Sequence, residues 1–67
     1  MNTYSLWLGH EVCLQVRNEE FLVSLHGRIV HESLHAVRFR LDDRWDVDIF
    51  KEMILAVEPD ITFSTAA

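Results

Sequence analysis

The chain has 67 residues, six Lys or Arg against eleven Asp or Glu, a net charge of −5 and one cysteine. Sixty-seven residues predict a single small domain (1–67), near the limit at which one core offsets chain entropy, so a metal or partner subunit is the support to look for; one cysteine, Cys13, leaves no intrachain disulfide to expect. The acidic balance disfavours phosphate-rich partners, and no apolar run approaches the roughly 18 residues that span a bilayer.

The opening "MNTYSLWLGHEV" lacks the charged and long apolar regions of a signal peptide, and one cysteine suits a reducing compartment, so a cytoplasmic protein with no membrane contact is expected. Leu6, Trp7 and Leu8 in this stretch fall outside any strand pattern. In "EVCLQVRNEEFLVSL" apolar residues then alternate with polar ones, the period of a half-buried strand. A tight turn at Asn18-Glu19 sets Val16 opposite Phe21, Leu14 opposite Val23 and Val12 opposite Leu25, with Arg17 facing Glu20 outside. The same phase continues through Gly27, Ile29 and His31, describing one long strand with a glycine where a small barrel bends. A connection around Glu32-Ser33-Leu34 places Gly27 opposite Phe39, with room for the ring.

The segment "AVRFRLDDRWDVDIF" (36–50) is the most informative. A three-residue loop Asp42-Asp43-Arg44 pairs Leu41 with Trp45, Phe39 with Val47 and Val37 with Ile49 on one face. The other face then pairs Arg40 with Asp46 and Arg38 with Asp48. Slipping this register by one residue would put every core residue opposite a charge. A loop of this length wants a positive φ at its last position, where Arg44 is a poor choice. "FKEM" predicts one helical turn, "ILAVE" a short strand stopped by Pro59, and 60–67 a loosely held tail.

Strand, long bent strand, strand, strand, single turn, short strand is an all-β order. With "LGHEVCLQV", "HGRIV", "AVRFRLDD" and "VDIFKEMILAVEP" it resembles the SH3-like and Sm-like small barrels over roughly residues 9–59. The resemblance implies a five-stranded barrel with one short helical turn before the last strand, and carries no diagnostic motif. A β-hairpin plus two helices is the alternative, because Val30, Leu34, Val37 and Leu41 also fall on one helical stripe and "DIFKEMILAVEP" has helix-forming residues between an Asp cap and a Pro.

One stretch matches a catalytic pattern. "HESLH" (His31 to His35) is H-E-x-x-H, which on a helix presents two zinc ligands one turn apart and a Glu to polarise water. It needs a third ligand, such as Glu58 or Asp60, and a cleft that 67 residues have difficulty supplying. A chance match in a chain with four His is the preferred reading, and a zinc-dependent hydrolase using His31 and His35 the alternative. His10 and His26 read as strand-end histidines and Cys13 as an inert small residue in the outward phase. An RNA-binding, Sm-like role would use Arg28 and Arg44, with Arg38 and Arg40 beside them and Trp7 or Tyr4 to stack a base. Acids paired with those arginines, and an acidic segment 42–67 with two basic residues against seven acids, count against it. No phosphate loop or nucleophile elbow is present, so no cofactor is expected. Leu6, Trp7, Leu8, Leu22 and Val30 exceed what one small core accommodates. They suggest a non-catalytic interaction module that binds a protein partner or itself as a homo-oligomer.

Overall fold

A computed structural model describes residues 3–61. The strands are β1 (Glu11–Asn18), β2 (Phe21–Glu32), β3 (Ala36–Leu41), β4 (Trp45–Phe50) and β5 (Ile54–Pro59); 3-10 turns cover Ser5–Trp7 and Lys51–Met53. They form one antiparallel sheet in the order β4-β3-β2-β1-β5. The all-β reading holds, including the single turn before the last strand, and the helical alternative fails because residues 28–42 run strand, loop, strand.

The β3–β4 register agrees with the alternation: Leu41 pairs with Trp45, Phe39 with Val47, Val37 with Ile49, Arg40 with Asp46 and Arg38 with Asp48. The loop spares Arg44. Positive φ falls instead on Asp42 (54°) and Asp43 (57°), and Arg44 N donates to Leu41 O at 3.0 Å. Two successive left-handed residues have the φ signs of a type I′ turn, and Asp accepts that conformation more readily than Arg does.

Two other registers differ from expectation. In β1–β2 the turn is at Glu19-Glu20, so Val16 pairs with Val23, Leu14 with Leu25 and Val12 with Gly27. The shift is two residues, which keeps every apolar side chain on its expected face. Its outer face explains it: Glu11 now meets Arg28 and Gln15 meets Ser24, with hydrogen bonds of 2.9 and 2.8 Å. In β2–β3, Gly27 aligns with Leu41 and Ile29 with Phe39, followed by an irregularity at Val30 before His31 meets Arg38. The reason for a glycine survives this change. A Cβ on residue 27 would collide with the Arg40 carbonyl oxygen and lie 3.1 Å from Cε2 of Phe39.

The expected closure into a barrel does not occur: among the described residues β4 pairs with β3 and β5 with β1, and the two do not pair with each other. The chain crosses from one edge strand to the other through the three residues Lys51–Met53, so the strands are joined end to end while their hydrogen-bonding edges stay apart.

The core is Val12, Leu14, Val16, Ile29, Val37, Phe39 and Ile49, joined by Tyr4. Each fully buried aliphatic or aromatic side chain contributes about 1.5–3 kcal/mol over an exposed one. The opening segment belongs to this core. Tyr4 is buried, Trp7 packs partly against it, Leu8 forms a parallel bridge with Ile29, and Gly9 (φ 81°) donates its N–H to Ile29 O at 3.1 Å. Tyr4 is therefore not a free stacking platform for a base. Glu32 anchors the segment: its Oε1 accepts from Tyr4 N at 3.0 Å and Thr3 Oγ1 at 3.3 Å, and its Oε2 lies 2.6 Å from Lys51 Nζ.

Candidate interaction surface

The unclosed seam leaves a cleft of about 360 Å³ between the β1–β2 hairpin and β4. Val16, Val23, Leu25, Ile49, Phe50 and Met53 are its apolar lining, and Asn18 and Asp48 its polar lining. Alternation along each strand extends this face outward, through Phe21 on β2 and through Val47 and Trp45 on β4. Phe21, Val23, Trp45, Val47 and Phe50 are all exposed. A soluble domain exposes single apolar side chains freely, whereas several beside an unpaired strand edge mark a place where another chain can add.

The opposite face of the sheet carries the charged rows, which are internally neutralised, along with the exposed Leu22 and Phe50. The register lines up Glu11, Arg28, Arg40 and Asp46 across four strands. Arg28 and Arg40 are adjacent like charges, and a carboxylate answers each. Arg28 Nε and Nη2 both reach Glu11 Oε2 at 2.9 Å, and Asp43 is 4.0 Å away. Arg40 grips both oxygens of Asp46, at 2.7 and 3.0 Å. In the adjacent row Arg38 Nε donates to Asp48 at 3.1 Å. The hydrogen bond that Arg28 donates to Glu11 raises the Arg28 pKa, and those that Arg40 donates to Asp46 raise the Arg40 pKa and lower that of the Asp46 carboxyl. Arg44 lies 6.0 Å over the Trp45 ring. The arginines suggested for RNA are thus engaged: Arg28 by carboxylates and Arg44 by an aromatic face.

The H-E-x-x-H residues do not share a helical face. His31 and Glu32 end β2, aligned with Arg38 and Val37, while His35 sits in the loop and its carbonyl accepts from Lys51 N at 2.8 Å. Glu32, the water-polarising position of that motif, is held by Lys51 and the Tyr4 amide; the Lys51 hydrogen bond is the main cause of its lowered pKa. Among the described residues no group of three or more His, Cys, Asp or Glu is arranged to hold a metal ion. Asp60 donates its N–H to Glu11 O at 3.0 Å, and its side chain lies 2.9 Å from His26 Nδ1; beyond Ile61 the expected tail lies outside the described residues. Cys13 is buried in spite of its outward phase, because β1 is flanked by β2 and β5. Burial, and then Glu58 and Asp60, push its thiol pKa up.

The five apolar residues singled out in sequence do not form one patch. Leu6, 83% exposed, and Trp7 line a second groove of about 460 Å³ with His10, Glu11 and Pro59. Leu8 is exposed next to them, Leu22 is 66% exposed opposite Arg17, and Val30 is half-buried at the β2 irregularity. The seam residues Val23, Phe50 and Met53 were not singled out. Val23 has an inward phase that assigns it to a core, whereas Phe50 ends β4 in the outward phase of Asp46 and Asp48, and Met53 lies in the 3-10 turn, where no alternation applies.

No protein-family model, curated protein or solved structure matched this chain. No helix among the described residues is long and apolar enough to cross a membrane.

Proposed function

We propose that this chain is a non-catalytic interaction module that takes up an extended segment of a protein partner along the open edge of β4. The carrying observation is the coincidence of that unpaired edge with the apolar cleft of Val23, Leu25, Phe50 and Met53. Strand addition uses main-chain hydrogen bonds for affinity and pockets for alternate side chains for specificity, and both parts are adjacent at this seam. The strand order and the 12-residue β2 with its irregularity at Val30 support placing the module with the SH3-like and Sm-like small folds. Selection of peptides from a displayed library against the whole chain tests the reading, with amide chemical shifts as readout. Enriched peptides shifting the amides of β4 and Val23 are expected; enrichment confined to the groove at Trp7 would contradict it.

The exposure of Leu6, Leu8 and Leu22 favours a second reading, self-association into a homo-oligomer. Sedimentation at micromolar concentration yielding a monomer would dismiss that one, and a dimer dispersed by Leu22→Glu would support it.

A further inference from the structure

We infer that the segment accepted by β4 alternates basic and apolar residues, and that a second copy of this chain is not that segment. The inference rests on the reading of the β4 edge as the docking strand. On the outward face, the row Glu11, Arg28, Arg40, Asp46 and the row containing Arg38 and Asp48 both end on a carboxylate where the sheet stops. A strand laid against β4 sets its outward side chains about 4.5–5.5 Å from Asp46 and Asp48 at the Cβ atoms, and opposite charges at that spacing are favourable.

The two carboxylates are unequally occupied. Asp46 gives both oxygens to Arg40, whereas Asp48 receives Arg38 through Oδ1 alone and is 64% exposed. An ionised carboxylate has roughly four acceptor sites, so Asp48 can take a Lys or Arg from the incoming strand without releasing Arg38. The alternate residues of that strand point the other way, over Val47 and the seam, and must be apolar to cover it.

Self-pairing meets the opposite situation. The other free edge is β5, whose outward position opposite Cys13 is Glu58. Docking β5 of one copy on β4 of another, or β4 on β4, sets carboxylate against carboxylate, which is destabilising.

Two peptides of equal length, one alternating lysine with valine and one alternating glutamate with valine, are titrated into the isotope-labelled full chain. Each is also made with N-methyl groups along one backbone edge. The lysine peptide is expected to shift the amides of residues 45–50 and to bind about 2- to 30-fold tighter than the glutamate peptide, the ratio that two cross-strand charge pairs supply. Asp48→Asn should reduce that ratio, and N-methylation should abolish binding. Equal or tighter binding of the glutamate peptide at β4, or a ratio unchanged in Asp48→Asn, would overturn the charge assignment and leave β4 docking standing. Absence of β4 shifts with both peptides, or N-methylated peptides binding equally well, would overturn the docking reading itself.

Discussion

Replacing Gly27 by alanine adds one methyl group where β2 crosses nearest to β3. In an ordinary strand Gly→Ala is favourable: it removes an entropy penalty of about 0.5–1 kcal/mol. Here the new Cβ would run into the Arg40 carbonyl oxygen and stand 3.1 Å from both the Arg40 carbonyl carbon and Cε2 of Phe39. The obstacle is backbone, and Phe39 is fully buried, so neither can swing aside. Relief requires β2 and β3 to separate, at an overpacking cost of about 1–3 kcal/mol, with a further 0.5–1.5 kcal/mol for each ladder hydrogen bond that is lost. Set against the entropic gain, a net loss of about 1–3 kcal/mol is expected. A domain of this length has a total stability of about 3–10 kcal/mol, so the effect is large. Urea unfolding followed by Trp fluorescence measures it: the midpoint falls with little change in slope. A Gly27→Ala variant as stable as the parent, or more so, would refute the close approach of β2 and β3.

Further expectations concern single side chains. Glu32→Ala removes the acceptor for the Tyr4 amide and the partner of Lys51, and should cost about 1–3 kcal/mol and shift Trp7 emission. The Glu32 and Asp46 carboxyls are lowered in the folded state, Glu32 chiefly by Lys51 and Asp46 by Arg40, so below their ordinary values the unfolded chain binds more protons than the folded one. Their contribution to stability is therefore full above about pH 4.5 and is lost as pH falls through the depressed values; a titration of unfolding midpoints checks this, and Glu32→Gln should flatten the acid limb. Glu19 has a φ of 56°, a conformation that costs a side-chain-bearing residue roughly 1–2 kcal/mol, so Glu19→Gly should stabilise the hairpin by about 0.5–1 kcal/mol in thermal unfolding. Cys13 is buried with a raised pKa, so alkylation at neutral pH should be slow in the native chain and speed up on unfolding.

The β3–β4 hairpin was legible to the residue because two independent patterns, core against core and Arg against Asp, agree in only one register. The β1–β2 hairpin offered weaker polar guidance: a two-residue slip keeps all apolar faces in place, and the choice is made by Glu11 with Arg28 and Gln15 with Ser24. Gly27 was correctly marked as a point of close approach, yet its partner was not, because the irregularity at Val30 changes the count along β2. The roles of Tyr4 and Glu32 were hidden for a different reason. Their contacts join the opening segment to the end of β2 and to Lys51, and no local periodicity encodes a contact of that kind. The same holds for the seam. Phe50 ends β4 in the outward phase and Met53 lies in the turn, so alternation marks neither as lining a cleft, and whether two edge strands pair depends on the path of that three-residue turn.

Amide hydrogen exchange along β4 tests the open edge most directly. The account predicts alternation from Trp45 to Phe50, with amides directed at β3 protected and those directed away exchanging at rates close to solvent-exposed backbone. Uniformly slow exchange on both sides of β4 in the isolated chain at low concentration would mean the edge is already paired and would contradict the account.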